Sequence, residues 1–145
     1  MILPVPIAIA LAVCLFVALS GDVRIVRRIP PPCRRGLVVK SGWLAGRAAA
    51  EEMMWRWLVL GQLRLALGMP AAFALSVGGF ALAHRASQGS RGMVVHLVTG
   101  SAFSALYVAT GSLVAPVVAH AVYNILVAVA VEAEGQEIAG RVSAG

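Results

Sequence analysis

Charge is scarce in this chain. Among 145 residues only twelve are basic and six acidic, against 60% hydrophobic residues and a mean hydropathy of +0.88. A soluble domain of this size cannot cover so much apolar surface with so few polar groups. Cysteine is scarce as well: Cys14 lies in an apolar run and Cys33 in a Pro/Arg stretch, without the CxxC or Cys/His spacing of a metal site. The two cysteines fix no redox compartment. The basic cluster Arg24–Arg35 holds no aromatic residue, so the platform on which a nucleic-acid binder would stack bases is missing. No internal repeat is visible. No basic stretch precedes the first apolar run, Ile2–Ser20, and no convincing small-residue cleavage site precedes Gly21. We therefore expect a retained first span with its N-terminus outside, a cleaved signal peptide being the alternative.

What is present is long apolar sequence with positive charge between the runs. Seven of the twelve basic residues fall from Arg24 to Arg47, the pattern of a cytoplasmic membrane loop. Five apolar segments can be drawn: Ile2–Ser20, Trp43–Leu67, Pro70–His84, Gly92–Ala109 and Leu113–Val131. Crossing the hydrocarbon takes about 20 helical residues. Breakers separate the later segments at Gly68-Met69-Pro70, at Ala86 to Ser90 and at Thr110-Gly111-Ser112. Helix is the default for every segment, because in lipid the backbone must bond to itself. The expected fold is an all-α polytopic bundle of about five spans. With the 21–42 loop inside, ten of the twelve basic residues face the cytoplasm and the two outer turns carry no charge. The chain divides into a first transmembrane helix (1–20), a basic, Pro-containing cytoplasmic linker (21–42) with an extended stretch Ile29–Arg35, a core (43–131) and a loosely ordered cytoplasmic tail (132–145). Gly100 and Ser104 read as small-residue helix packing. Trp43, Trp55, Trp57 and Tyr107 read as interfacial or core aromatics.

Ionisable residues inside a membrane are costly and usually mark function. Here they are Glu51, Glu52, Arg56, His84, His96 and His120, with Asn124 one turn beyond His120. At about 1.5 Å per residue, Glu51 lies about 12 Å from the inner side and His84 about 21 Å from the outer side, nearly one level in a core of about 30 Å. His120 is somewhat further out and within reach on a tilted helix, so one polar site built from three helices is geometrically allowed. Glu52 and Arg56 stand at i,i+4 and can form an ion pair. Phe80 and His84, and His120 and Asn124, repeat that spacing. Glu51 points about 100° away from Glu52, which leaves it free to hold a water. His96 fits no such pair and reads as a packing or interfacial histidine outside the site.

These residues resemble the CPBP family of intramembrane proteases, which includes CAAX-processing and bacteriocin-processing (Abi-type) enzymes. The family motifs EExxxR, FxxxH and HxxxN have counterparts in Glu51-Glu52-Met53-Met54-Trp55-Arg56, Phe80-Ala81-Leu82-Ala83-His84 and His120-Ala121-Val122-Tyr123-Asn124. The stretch Thr110 to Pro116 is similar too, and the likeness covers about 43–131. It implies a peptidase with Glu51 as general base, His84 helping to hold the water, His120 and Asn124 stabilising the oxyanion, and Glu52 with Arg56 fixing the helix. Cofactors stay open between none and a single zinc held by Glu51, His84 and His120. No HExxH helix favours zinc, and we lean to metal-free chemistry. Expected partners are a peptide or lipidated-protein substrate and membrane lipid, not nucleic acid; a homo-oligomer is allowed. Two rival readings are a non-catalytic membrane partner or immunity protein of the same fold, and a transporter or proton relay.

Overall fold

A computed structural model describes residues 4–20 and 34–143, leaving out the side chains of 34–38, 136, 137, 140 and 142. Residues 21–33, with most of the expected linker, lie outside the described residues. The described chain is helical throughout: α1 (Pro4–Ser20), α2 (Arg34–Glu52), a π-helical segment (Met53–Leu60), α3 (Gly61–Leu67), α4 (Met69–Thr110) and α5 (Val114–Ser143). Two of these helices are long and apolar enough to cross a membrane, Met69–Thr110 and the 114–135 part of α5; α1 is apolar but spans only 17 residues.

The three breakers act as expected. Each contains one glycine with positive φ, Gly68 (+78°), Gly89 (+67°) and Gly111 (+62°), a region L side chains avoid. Gly68 separates α3 from α4, whose first turn holds Pro70. Gly111 caps the end of α4, its N–H donating to the Tyr107 carbonyl at 2.9 Å. Gly89, with ψ of −166°, bends α4 into arms 69–88 and 90–110, the third and fourth segments drawn from the sequence. Gly92 permits the bend, because a Cβ there would lie 2.2 Å from Gln88 Cβ.

Two boundaries differ from expectation. The second segment is helical from Arg34 rather than from Trp43. The last helix runs past residue 132: α5 continues to Ser143. Its Ala, Glu and Gln residues are strong helix formers, and Lys40 on α2 pairs with Glu132 on α5.

The apolar core joins α1 to the last turns of α4 and the first half of α5. Ala8, Ala12 and Phe16 are buried against Phe103, Leu106, Ala115, Ala119 and Tyr123. Alanines four apart on α1 and on α5 bring two backbones close, the usual packing of helices in lipid. Large apolar side chains face outward instead, among them Ile7, Val13, Leu65, Leu75, Leu82 and Val114. The charged pair Glu52 and Arg56 is fully buried. Apolar outside and ionisable inside is the arrangement that lipid requires.

Candidate active site

The π-helical segment sets the first wall of the site. Ala48, Glu52, Arg56 and Leu60 are all fully buried, a stripe with a spacing of four. A regular α-helix has 3.6 residues per turn, so such a stripe would drift around it. The wider i→i+5 turns keep it on one face, and the Gly61 N–H reaches back to the Arg56 carbonyl. Two residues of α4 hold the segment. Ser76 Oγ donates to the Trp55 carbonyl at 2.7 Å. Gly79 seats the Trp55 ring, where a Cβ would stand 2.4 Å from Cζ3.

Glu52 and Arg56 form the expected ion pair, Oε2 to Nε at 3.0 Å with both side chains fully buried. The contact angle is too poor for a hydrogen bond, and Arg56 Nη1 has none. The guanidinium is held by other means. Arg56 Nη2 donates to the Gly100 carbonyl at 3.1 Å, and its Cζ lies 4.5 Å from the Phe80 ring centre and 5.8 Å from that of Phe103. Gly100 is required here, since a Cβ would lie 2.9 Å from Phe80 Cδ1.

The other oxygen of Glu52 reaches α5. His120 Nδ1 donates to Glu52 Oε1 at 2.7 Å, while the ring stacks on Phe103 at 5.1 Å and meets the edge of Phe80 at 5.9 Å. His84 is fixed in the same manner from its own helix, Nδ1 donating to the Phe80 carbonyl at 2.8 Å. In both rings Nδ1 is taken, so Nε2 is the nitrogen left for chemistry. Both Nε2 atoms face Glu51: Oε2 lies 3.6 Å from His120 Nε2 and 3.7 Å from His84 Nε2. These are contacts without hydrogen bonds. The Glu51 side chain is 21% exposed and that of His84 13%, whereas Glu52 is sealed.

Glu51, Glu52, Arg56, His84 and His120 therefore meet. Asn124 stands half-buried one turn after His120, with no hydrogen-bond partner among the described residues. Glu51 is less free than its spacing implied, because Arg47 Nη2 donates to its Oε1 at 3.0 Å. The i,i+4 spacing of Arg47 and Glu51 was the available signal. His96, set aside in the sequence reading, also belongs to the cluster, its ring stacked on His84 with centres 3.7 Å apart. Its signal was that all three histidines fall in apolar sequence, with a glycine break between His84 and His96. Among the described residues, no group of three or more His, Cys, Asp or Glu side chains stands close enough to hold a metal ion.

A helical chain that turns apolar groups outward and gathers carboxylates and imidazoles within is a membrane protein with a polar centre. The family model for type II CAAX prenyl endopeptidase Rce1-like proteins matches residues 37–126, which include all three motifs, and the chain belongs to that family. Membership implies an intramembrane protease. Searches among curated proteins and among solved structures find no match.

Proposed function

We propose that this protein is a metal-free intramembrane endopeptidase in which Glu51 activates water. The observation that carries the reading is the convergence on Glu51 Oε2 of two imidazole Nε2 atoms, at 3.6 and 3.7 Å, with each ring already tied at Nδ1. A water seated there gives one proton toward Glu51 and donates the other to His84 Nε2, which turns its lone pair outward to the scissile carbonyl. Glu51 then delivers its proton to the departing amine. The oxyanion is met by His120 and Asn124. For His120 Nε2 to donate, the ring carries two protons, and the Glu52 carboxylate on Nδ1 is the counter-charge for that state. Asn124, with no partner of its own, has its amide free for the same task.

The substrate class follows the family description: a peptide of CAAX type, whose lipid stays in the bilayer while its cleavage site enters the polar centre. A bacteriocin-type leader is the other peptide class. We further propose five crossings, the two arms of α4 counting separately across Gly89, with the N-terminus outside and the C-terminus cytoplasmic. The charge distribution supports this orientation.

The test pairs the wild type with Glu51→Gln, each purified in detergent, assayed for metal and incubated with a prenylated CAAX peptide and a double-glycine leader peptide. Cleavage by metal-free wild type alone is the expected result. Cleavage that tracks bound zinc would replace the glutamate mechanism by a metallopeptidase with Glu51, His84 and His120 as ligands. No cleavage by folded wild type would overturn the protease reading.

A further inference from the structure

His96 enters neither the family motifs nor the mechanism above, yet it lies largely enclosed beside the site, 9% exposed. Its ring lies almost parallel to that of His84, with centres 3.7 Å apart and planes at 27°. It also meets the Phe80 ring edge-on, at 5.2 Å and 89°. In a straight helix, residues twelve apart are separated by about 18 Å. The bend at Gly89 removes that separation. His96 Nε2 donates to Gln88 Oε1 at 3.1 Å, so the residue beside the bend is tied to the ring that the bend brings back. The other nitrogen, Nδ1, is buried without a partner.

His84 needs such a neighbour. Its one hydrogen bond, from Nδ1 to the Phe80 carbonyl, acts as a pivot and leaves the ring able to swing. The working atom, Nε2, lies beyond the pivot and faces Glu51 at 3.7 Å. Phe80 closes one side of the ring with its edge, centres 4.7 Å apart and planes at 62°, and His96 covers a face.

We infer that His96 is a positioning residue: an aromatic clamp, locked to the Gly89 bend through Gln88, that holds the His84 imidazole with Nε2 toward Glu51. The role in turnover rests on the protease reading; the clamp itself does not. The clamping agent is the ring face, so phenylalanine replaces it and aliphatic side chains do not.

Two readouts separate the clamp from the activity. The first is the rate at which diethyl pyrocarbonate modifies His84 in detergent, read peptide by peptide by mass spectrometry. His96→Ala should raise that rate about fivefold, and His96→Phe should leave it within about twofold, as expected when a covering ring is removed or kept. The second is kinetics on the prenylated peptide. His96→Ala should lower kcat about tenfold or more at unchanged KM, as misplacement of a reacting group does, and His96→Phe should restore most of it. His96→Leu serves in place of alanine if that variant does not fold. Unchanged His84 labelling in the alanine or leucine variant, or labelling in the phenylalanine variant raised as much as in the alanine variant, would overturn the clamp. The expected labelling pattern in a wild type that cleaves nothing would keep the clamp and remove the protease reading.

Discussion

The site has an inner and an outer half, and adjacent residues of one type head them. Glu52 begins the inner half. It is fully buried, with one oxygen against Arg56 and the other accepting from His120, and aromatic rings close over both partners. Glu51 begins the outer half. It is partly exposed, one oxygen tied to an exposed arginine and the other facing two imidazole nitrogens across gaps too long for hydrogen bonds. The inner carboxylate is sealed with one oxygen against each of its two protein partners, and the outer one is open enough to meet a reactant. In the proposed mechanism the inner half serves as a support and the outer half as the place where chemistry happens. Stability and turnover should part along that line.

The largest effects test the line from both sides. Arg56→Ala leaves Glu52 as a buried charge without its counter-ion, an error costing about 3–5 kcal/mol. We expect a large drop in Tm in detergent, with activity lost as a consequence. Glu51→Gln should do the reverse, holding Tm near wild type while turnover falls about 10²–10⁴-fold, the range for a lost general base. A Glu51→Gln variant that melts like Arg56→Ala would break the comparison. Asn124→Ala comes next: loss of one oxyanion donor should lower kcat about 10²–10³-fold, with little change in Tm because the amide has no partner to lose.

Legibility in the sequence follows the same division. The motif spacing gave the pairing of Glu52 with Arg56 and the meeting of Glu51, His84 and His120, because i,i+4 geometry and depth are properties of the chain alone. The three breaks were legible for a similar reason: Gly68, Gly89 and Gly111 stand where helix cannot continue. The π-helical turns were not, since eight residues from Met53 to Leu60 carry an ordinary helical pattern and their widening depends on Ser76 and Gly79 of another helix. His96 was missed because its role arises only when the Gly89 bend carries it back to His84. The start of α2 at Arg34 was missed because polar residues there concealed a helix stabilised partly by contact with α5.

A medium effect sharpens the account of the support. Gly79→Ala would drive a methyl into the Trp55 ring, which has Phe80 on another side. Overpacking of this kind costs about 1–3 kcal/mol. Because Trp55 lies in the π-helical segment between Glu52 and Leu60, the strain should also move Arg56. We expect a lowered Tm together with a modest loss of turnover, partly restored by Trp55→Phe, which gives back the space. No rescue would mean that the wide turns are held by Ser76 alone.

The smallest effect is the one most able to redraw the boundary between the halves. Arg47 is 52% exposed at its side chain and touches Glu51 from one turn earlier on the same helix, with its Cζ over the Trp43 ring at 5.0 Å. An exposed i,i+4 pair contributes about 0.3–0.5 kcal/mol and is weakened by salt. Arg47→Ala should therefore leave Tm almost unchanged. If the two imidazoles suffice to orient the outer carboxylate, kcat should change less than about threefold, the rate equivalent of such a weak contact. A fall comparable to that of Asn124→Ala would give another answer: Glu51 would be held for catalysis by Arg47 on one oxygen as firmly as Glu52 is held by Arg56, and the outer half would be prebuilt too. Repeating the comparison at high salt separates the cases, because a dependence on Arg47 through charge fades with added salt in the wild type and is absent from the variant.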